Sequence, residues 1–402
     1  MAFTRGEAWQ QNLLVCLFGS FTTVFAMTLL LPFLPLYVEE MGVRGHAAVV
    51  QWSGICYGAT FLTAAFAAPI WGRLGDRFGR KPNLVRAAFC MAIAMSLTGF
   101  THTIWEFFGL RLLTGFAGGY ATGSTILVAV QTPKARSAWA LGVLSSGVMA
   151  GSIAGPLAGG VLPPLVGIRN AFLLAGALIF VAFIATLTLL RESSRDQREE
   201  AAASRAAAGP FRMSGSVFAM LVTGMLLVFA NMSIEPIITV YVRSLISNAH
   251  QVTIYAGLTM AAAALGSIVS AAQFGKLADR VGHVRVILAG IALAAALLIP
   301  QAFVTTGWEL IGLRFLMGVA LGGLMPSVAT VIRHSVPDNV AGTVLGYSVS
   351  AQYIGQVAGP VVGGFIGGAV GLRAVFLGTS ALLALSGLFV WRAVGVKRAP
   401  AP

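Results

Sequence analysis

Glu235 makes the heaviest demand on its surroundings of any residue in this chain. There are 13 acidic residues, and reading along the sequence places nearly all of them at polar connections. Glu7, Glu39, Glu40, Asp76, Glu192, Asp196, Glu199, Glu200, Asp279 and Asp338 fall in loops or at their borders, while Glu106 and Glu309 open apolar runs. Glu235 alone lies well inside such a run, about seven residues or roughly 10 Å of helix from its end. A carboxylate at that depth in lipid is costly unless it is paired or neutralised. The chemistry open to it is gain and loss of a proton.

Arg111 and Arg314 are the cations inside apolar runs. They lie at a depth comparable to that of Glu235, in runs that cross in the opposite sense, so a Glu235–Arg314 pair within one half is geometrically accessible. Protonation would break such a pair, and a substrate could compete for the freed charge. A permanent structural Glu–Arg contact is the other reading of the same residues.

Polar residues at helical spacing inside apolar runs are candidates for a cavity wall. Ser348, Gln352 and Gln356 form one stripe, Asn231 and Glu235 another, and Thr22, Phe25, Tyr57 and Tyr120 are further candidates. Satisfied contacts between helices, or rings facing lipid, would use the same residue types. A wall of aromatics, Met and few polar groups suits large amphipathic substrates, because burial discriminates less than fixed hydrogen bonds.

Other chemistries find little support. Cys16, Cys56 and Cys90 sit in apolar runs without metal spacing. His46, His102, His250, His283 and His334 stand near run ends without forming a ligand cluster, and a phosphate-binding loop of the Walker type is not found. Neither metal nor cofactor is expected, and the chain does not read as an enzyme.

The elements that must hold these residues are set by composition. The chain has 402 residues, 57% hydrophobic against 10% charged, and a mean hydropathy of +0.86, far from a soluble norm of about a quarter charged. A helix needs about 20 apolar residues to cross some 30 Å of hydrocarbon. That places spans near 12–38, 48–71, 82–101, 104–128, 137–163 and 170–190, then near 214–242, 252–274, 284–303, 307–332, 340–366 and 372–394. The run from Leu13 lacks an A-x-A cleavage site and reads as a retained first span. The reading is an all-α membrane protein of twelve transmembrane helices in two pseudo-symmetric six-helix bundles, 1–190 and 214–402, joined by a polar cytoplasmic linker over 191–213.

The net charge of +13 fits membrane topology better than nucleic acid, because the basic residues punctuate apolar runs. With both termini in the cytoplasm, only Arg44, Arg169, Arg243 and Arg373 of the 26 Lys and Arg fall in outer loops, and only Arg111 and Arg314 within spans. That bias fixes the expected orientation.

The halves repeat one another. Gly72-Arg-Leu-Gly-Asp-Arg-Phe-Gly79 matches Gly275-Lys-Leu-Ala-Asp-Arg-Val-Gly282, and Gly109-Leu-Arg-Leu-Leu-Thr-Gly115 matches Gly312-Leu-Arg-Phe-Leu-Met-Gly318 at the same offset. One residue further on, Gly151-Ser-Ile-Ala-Gly-Pro-Leu-Ala-Gly-Gly160 matches Gly355-Gln-Val-Ala-Gly-Pro-Val-Val-Gly-Gly364, as Pro32 matches Pro236 and Tyr37 matches Tyr241. Duplication of a six-span bundle accounts for the pattern.

Two of these blocks have a physical reading of their own. Asp76, at the cytoplasmic surface, could dock on the unpaired N–H groups opening the eleventh span and latch the halves shut. The neighbouring Gly72, Arg77, Gly79 and Arg80 belong to the same loop, where the basic residues could equally serve only as topogenic charge. Gly151, Gly155, Pro156, Gly159 and Gly160 let a neighbouring backbone approach closely, with a proline kink, as a leak-tight hinge or as packing alone.

Taken together, Pro32-Phe-Leu-Pro-Leu-Tyr-Val38, the doubled Asp-Arg loop and the Gly-Pro-x-x-Gly-Gly run make the chain resemble the major facilitator superfamily from end to end, and within it bacterial drug:proton antiporters. The resemblance implies that the Asp76 loop is a cytoplasmic gate, that Asp279 and Arg280 act likewise against the fifth span, and that the Gly-Pro run goes with antiport. It makes Arg111 a candidate for proton relay or for holding an anion. The chain departs from several drug:proton antiporters in having no acid between Leu13 and Val38. The implied protein is a monomer in the bacterial inner membrane that exports amphipathic organic compounds in exchange for protons. Its partners are a small-molecule substrate, protons and the lipid bilayer, without nucleic acid. Uptake of a metabolite, or a non-transporting receptor or scaffold, are the alternatives.

Overall fold

The computed structural model describes residues 5–191, 213–246 and 248–394, and among them every regular element is helical. The linker expected over 191–213 lies, between its end residues, outside the described residues. In chain order the α-helices are α1 (Arg5–Leu29), α2 (Leu34–Glu40), α3 (His46–Phe78), α4 (Arg80–Thr98), α5 (Ile104–Ala117), α6 (Tyr120–Gln131), α7 (Ser137–Val166) and α8 (Ile168–Leu189). After the linker come α9 (Gly215–Leu245), α10 (Ala249–Val281), α11 (His283–Gln301), α12 (Gly307–Leu321), α13 (Leu324–His334), α14 (Asp338–Ala369) and α15 (Leu372–Val394).

Twelve spans emerge when α1 with α2, α5 with α6, and α12 with α13 are each taken as one broken crossing. Among the described residues, ten of the spans are long and apolar enough to cross a membrane by length and composition. The other two are α4, whose first turns carry Arg80, Lys81 and Arg86, and α14, diluted by its glycines, Gln352 and Gln356.

Most spans end on local signals. Gly79 and Gly282, with φ of 109° and 102°, take backbone angles that a side chain resists, so the chain reverses between α3 and α4 and again between α10 and α11. Thr103 and Thr306 cap α5 and α12, and Glu309 completes a capping box with Thr306. Glu106 likewise accepts from the His102 backbone at 2.8 Å. These two acids hold helix ends.

The described residues fall into two compact units. Those up to Arg44, those of Ala59–Ala206 and those of His250–Ala261 form one; those of Gly45–Gly58, those of Ala207–Ala249 and those from Ala262 on form the other. Helices α3 and α10 therefore each change unit partway along. Inside the first unit α1 packs on α7 and α8, and α4 on α8; inside the second, α9 packs on α14 and α15, and α11 on α15.

The glycine repeats make these pairings close. An added Cβ at Gly151 would stand 2.7 Å from the Phe21 carbonyl, and one at Gly155 2.6 Å from that of Phe25; one at Gly159 would strike that of Leu29. On α14, Gly355, Gly359 and Gly363 face Met225, Phe229 and Ser233 of α9 in the same way. Lipid gives helices no hydrophobic reason to associate, so backbone proximity and dispersion must hold them together.

Candidate functional site

Glu235 sits on α9 immediately before Pro236, whose missing N–H relieves the carbonyl of Met232 of its helical bond. Both carboxylate oxygens are engaged. Oε1 accepts from Asn231 Nδ2 at 2.7 Å, one turn earlier on the same helix, and Oε2 accepts from the Tyr57 hydroxyl of α3 at 2.9 Å. Tyr57 is buried, whereas Glu235 and Asn231 keep partial access. All of these residues belong to the second unit.

Arg314, on α12, is 1% exposed and belongs to the same unit as Glu235. Among the described residues no ion pair within 4 Å joins the two. In place of the direct pair anticipated from the sequence, the carboxylate takes two neutral donors, Tyr57 and Asn231. Nε and Nη2 of Arg314 are buried and find no acceptor among the described residues, and its guanidinium lies 6.0 Å from the centre of the Phe376 ring. A carboxylate so placed can carry charge or a proton: burial opposes the charge, and the donors and Arg314 favour it.

The first unit repeats the scaffold of this site without its acid. Arg111 of α5 is 2% exposed, donates to Thr98 Oγ1 at 3.3 Å and lies 5.3 Å from the centre of the Phe107 ring. Tyr37 donates to the Thr98 carbonyl, and Tyr241 to the Gln301 carbonyl at 2.8 Å. The ring of Tyr37 lies 5.1 Å from that of Phe172, and that of Tyr241 5.0 Å from that of Phe376. At the repeat offset, however, Leu31 stands where the second half has Glu235, and Met260 where the first half has Tyr57.

The remaining candidates separate. Ser348 accepts weakly from Gln352 at 3.4 Å, and with the partly exposed Gln356 both lie on α14, in the same unit as Glu235. Phe25 is half-buried against Phe21, their ring centres 5.8 Å apart. Thr22 and Tyr120 do not form a cavity wall: Thr22 turns back to the Gly19 carbonyl, and the fully buried Tyr120 bonds Thr186 at 2.7 Å within a core that includes Cys16, Leu84 and Leu127. Both hydroxyls are satisfied locally, which is how a buried polar group in a core avoids its desolvation cost.

Of the loop residues, Gly79 opens α4, Arg80 is buried, and the exposed Arg77 stacks over Phe78 at 5.2 Å. Arg280 is exposed, and the exposed carboxylate of Asp279 takes His283 as its partner at 3.6 Å. The side chain of Asp76 lies outside the described ones. Of the hinge residues, Gly151, Gly155 and Gly159 seat α1, while Pro156 and Gly160 face α10, where Thr253 donates to the Gly160 carbonyl at 2.9 Å.

Arg86 proves to be more than topogenic charge. Span four breaks at Gly118 and Gly119, and the exposed carbonyls at the break are taken by Arg86 (Ala117 at 3.1 Å, Gly118 at 3.3 Å) and by Trp71 Nε1 (Phe116 at 2.7 Å). The guanidinium stacks on the Trp71 ring at 3.4 Å. Sequence reading singled out neither this brace nor the Tyr37 and Tyr241 corners, although the tyrosines were visible as a matched pair.

Many apolar helical crossings, built as repeated bundles with costly polar groups buried inside them, define a multi-pass membrane transporter. The family model of the Major Facilitator Superfamily matches residues 16–253 and 220–402, and the chain belongs to that superfamily. It is 39% identical to the multidrug resistance protein MdtG of Citrobacter koseri over 97% of this chain and 96% of that protein. It is equally 39% identical to MdtG of Escherichia fergusonii, over 98% of this chain and 96% of that protein. Among solved structures, an inward-facing, occupied bacterial homologue of the human lysosomal transporter Spinster superposes with a TM-score of 0.79 at 16% identity, covering 98% of this chain and 99% of that one. A D-xylose-proton symporter does so at 0.76 and 14% identity, covering 98% and 100%. These two likenesses establish the fold alone.

Proposed function

We propose that this transporter exports amphipathic organic compounds in exchange for protons by alternating access, with Glu235 as the group that takes and gives the proton. The observation that carries the reading is the cradle around Glu235. It is an intramembrane carboxylate with partial access, held by two neutral donors in a unit that also buries Arg314. The MdtG relatives, whose names record multidrug resistance, support the direction and the substrate class. The halves are read as 1–190 and 214–402 around a cytoplasmic linker, with both termini in the cytoplasm and the protein a monomer in the bacterial inner membrane. The loops holding Gly72, Asp76, Arg77, Gly79 and Arg80, and Asp279 and Arg280, form the cytoplasmic gate. Arg314 steadies the charged form of Glu235, and Arg111 relays protons or holds an anion. Asn231, Tyr57, Ser348, Gln352, Gln356 and Phe25 meet the substrate.

Proteoliposomes with an imposed pH gradient and a panel of lipophilic dyes test this. The wild type is expected to move dye against its gradient when the lumen is acidic. Glu235→Gln should lose that uphill movement yet still exchange dye across the membrane without a gradient, and Arg111→Ala should weaken the uphill movement. Uphill dye movement by Glu235→Gln at the wild-type rate would remove Glu235 from the mechanism.

A further inference from the structure

Helix α3 changes allegiance along its length: its outer segment, 45–58, belongs to the second unit and its remainder to the first. What seats the outer segment is mostly backbone packing. Gly54 lies against the Pro360 carbonyl of α14, an added Cβ at Gly58 would be 3.1 Å from the Val357 carbonyl, and Gly364 and Gly368 present the same close approach to Val50 and Ala47. The bond from Tyr57 to Glu235 adds a contact whose strength depends on charge.

The related seam in the first unit, where the outer part of α10 meets α7, has the same glycine packing. Gly257 meets the Pro156 carbonyl, and Thr253 donates to that of Gly160. The positions equivalent to Glu235 and Tyr57 there are Leu31 and Met260, which do not titrate.

We propose that Tyr57 is the positioning residue that converts the charge state of Glu235 into the seating of the 45–58 segment, so that protonation loosens one seam and leaves its pseudo-symmetric counterpart untouched. The inference rests on Glu235 being the proton-exchanging group. A hydrogen bond to an ionised carboxylate is roughly twice as strong as one between neutral groups. The segment is therefore held harder when Glu235 is charged. The groups facing the carboxylate are Tyr57 from α3, Asn231 from its own helix and Arg314 from α12; Arg314 alone among them is charged, and it favours the seated state.

Hydrogen–deuterium exchange of the full chain in lipid nanodiscs at neutral pH, followed on peptides covering 45–58, tests the proposal with wild type, Tyr57→Phe, Glu235→Gln and the double variant. Each single variant is expected to speed exchange in this segment about tenfold, and the double variant by no more than either alone; peptides covering 250–261 should keep the wild-type rate. Should Tyr57→Phe fold poorly, 3-fluorotyrosine at position 57 keeps the ring and strengthens the donor, and exchange should then slow. Fast exchange in Glu235→Gln with a wild-type rate in Tyr57→Phe would overturn the role of Tyr57 while leaving Glu235 as the proton site. Additive effects in the double variant would make Tyr57 a packing residue and equally overturn the proposal. An unchanged rate in Glu235→Gln would overturn it as well, and the dye assay decides separately whether Glu235 exchanges protons.

Discussion

At the scale of single residues, the chain concentrates its cost in one place. Among the described residues no carboxylate lies within 4 Å of Arg314, but it is buried in the same unit as Glu235, and opposite charges attract across a poorly polarisable interior. Removing one should therefore hurt more than removing both. Arg314→Leu is expected to lower stability by roughly 2 kcal/mol, and adding Glu235→Gln should restore about half of that. Thermal unfolding in detergent reads both values, and equal melting temperatures for the single and double variants would show that the two charges are uncoupled. Glu235 was legible because an acid within an apolar run has few structural excuses. Its partners were not. Asn231 lay at helical spacing and could be paired with it, but nothing in the spacing of α3 told Tyr57, which reaches the carboxylate, from Tyr120, which disappears into a core and bonds Thr186. A tyrosine's role depends on which way its helix face turns, and a helix apolar on every side does not declare that in sequence.

Helices make their own predictions. Gly159 of α7 leaves no room for a side chain beside the Leu29 carbonyl, whereas Gly142 of the same helix has open space around it. Gly159→Val should cost about 3 kcal/mol or prevent folding, while Gly142→Ala should stay within about 0.5 kcal/mol of wild type; thermal shift and membrane yield separate the two. Equal effects would mean that the glycine stripe does not set the α1–α7 distance. The brace at the broken fourth span is similarly specific. Arg86→Met keeps the stem but leaves the Ala117 and Gly118 carbonyls without their donor where water is scarce, and about 2 kcal/mol should be lost. Span existence and order were read, with some ends displaced by up to seven residues, because about 20 apolar residues are a physical requirement of the bilayer. The breaks at Gly118–Gly119 and Gly322–Gly323 were not, since a glycine pair in a transmembrane run signals a kink, a close packing or neither, and only the surrounding donors decide.

For the whole molecule, duplication explains why two buried arginines, two tyrosine corners and two glycine seams recur, and divergence explains why, among the described residues, one half alone carries an acid deep within a span. The repeat was plain in the sequence. The exchange of the N-terminal parts of α3 and α10 between units was not, because contiguous sequence says nothing about where along its length a helix changes neighbours. If a proton and a substrate compete for the one acid, they need not meet the two halves symmetrically: binding of either is felt first in the second half. Proton release on substrate binding tests this account most directly. Adding a cationic, lipophilic dye to purified protein in weakly buffered detergent solution, with a pH indicator present, should release close to one proton per bound dye from wild type and none from Glu235→Gln, with dye still bound. Equal proton release from both would contradict it.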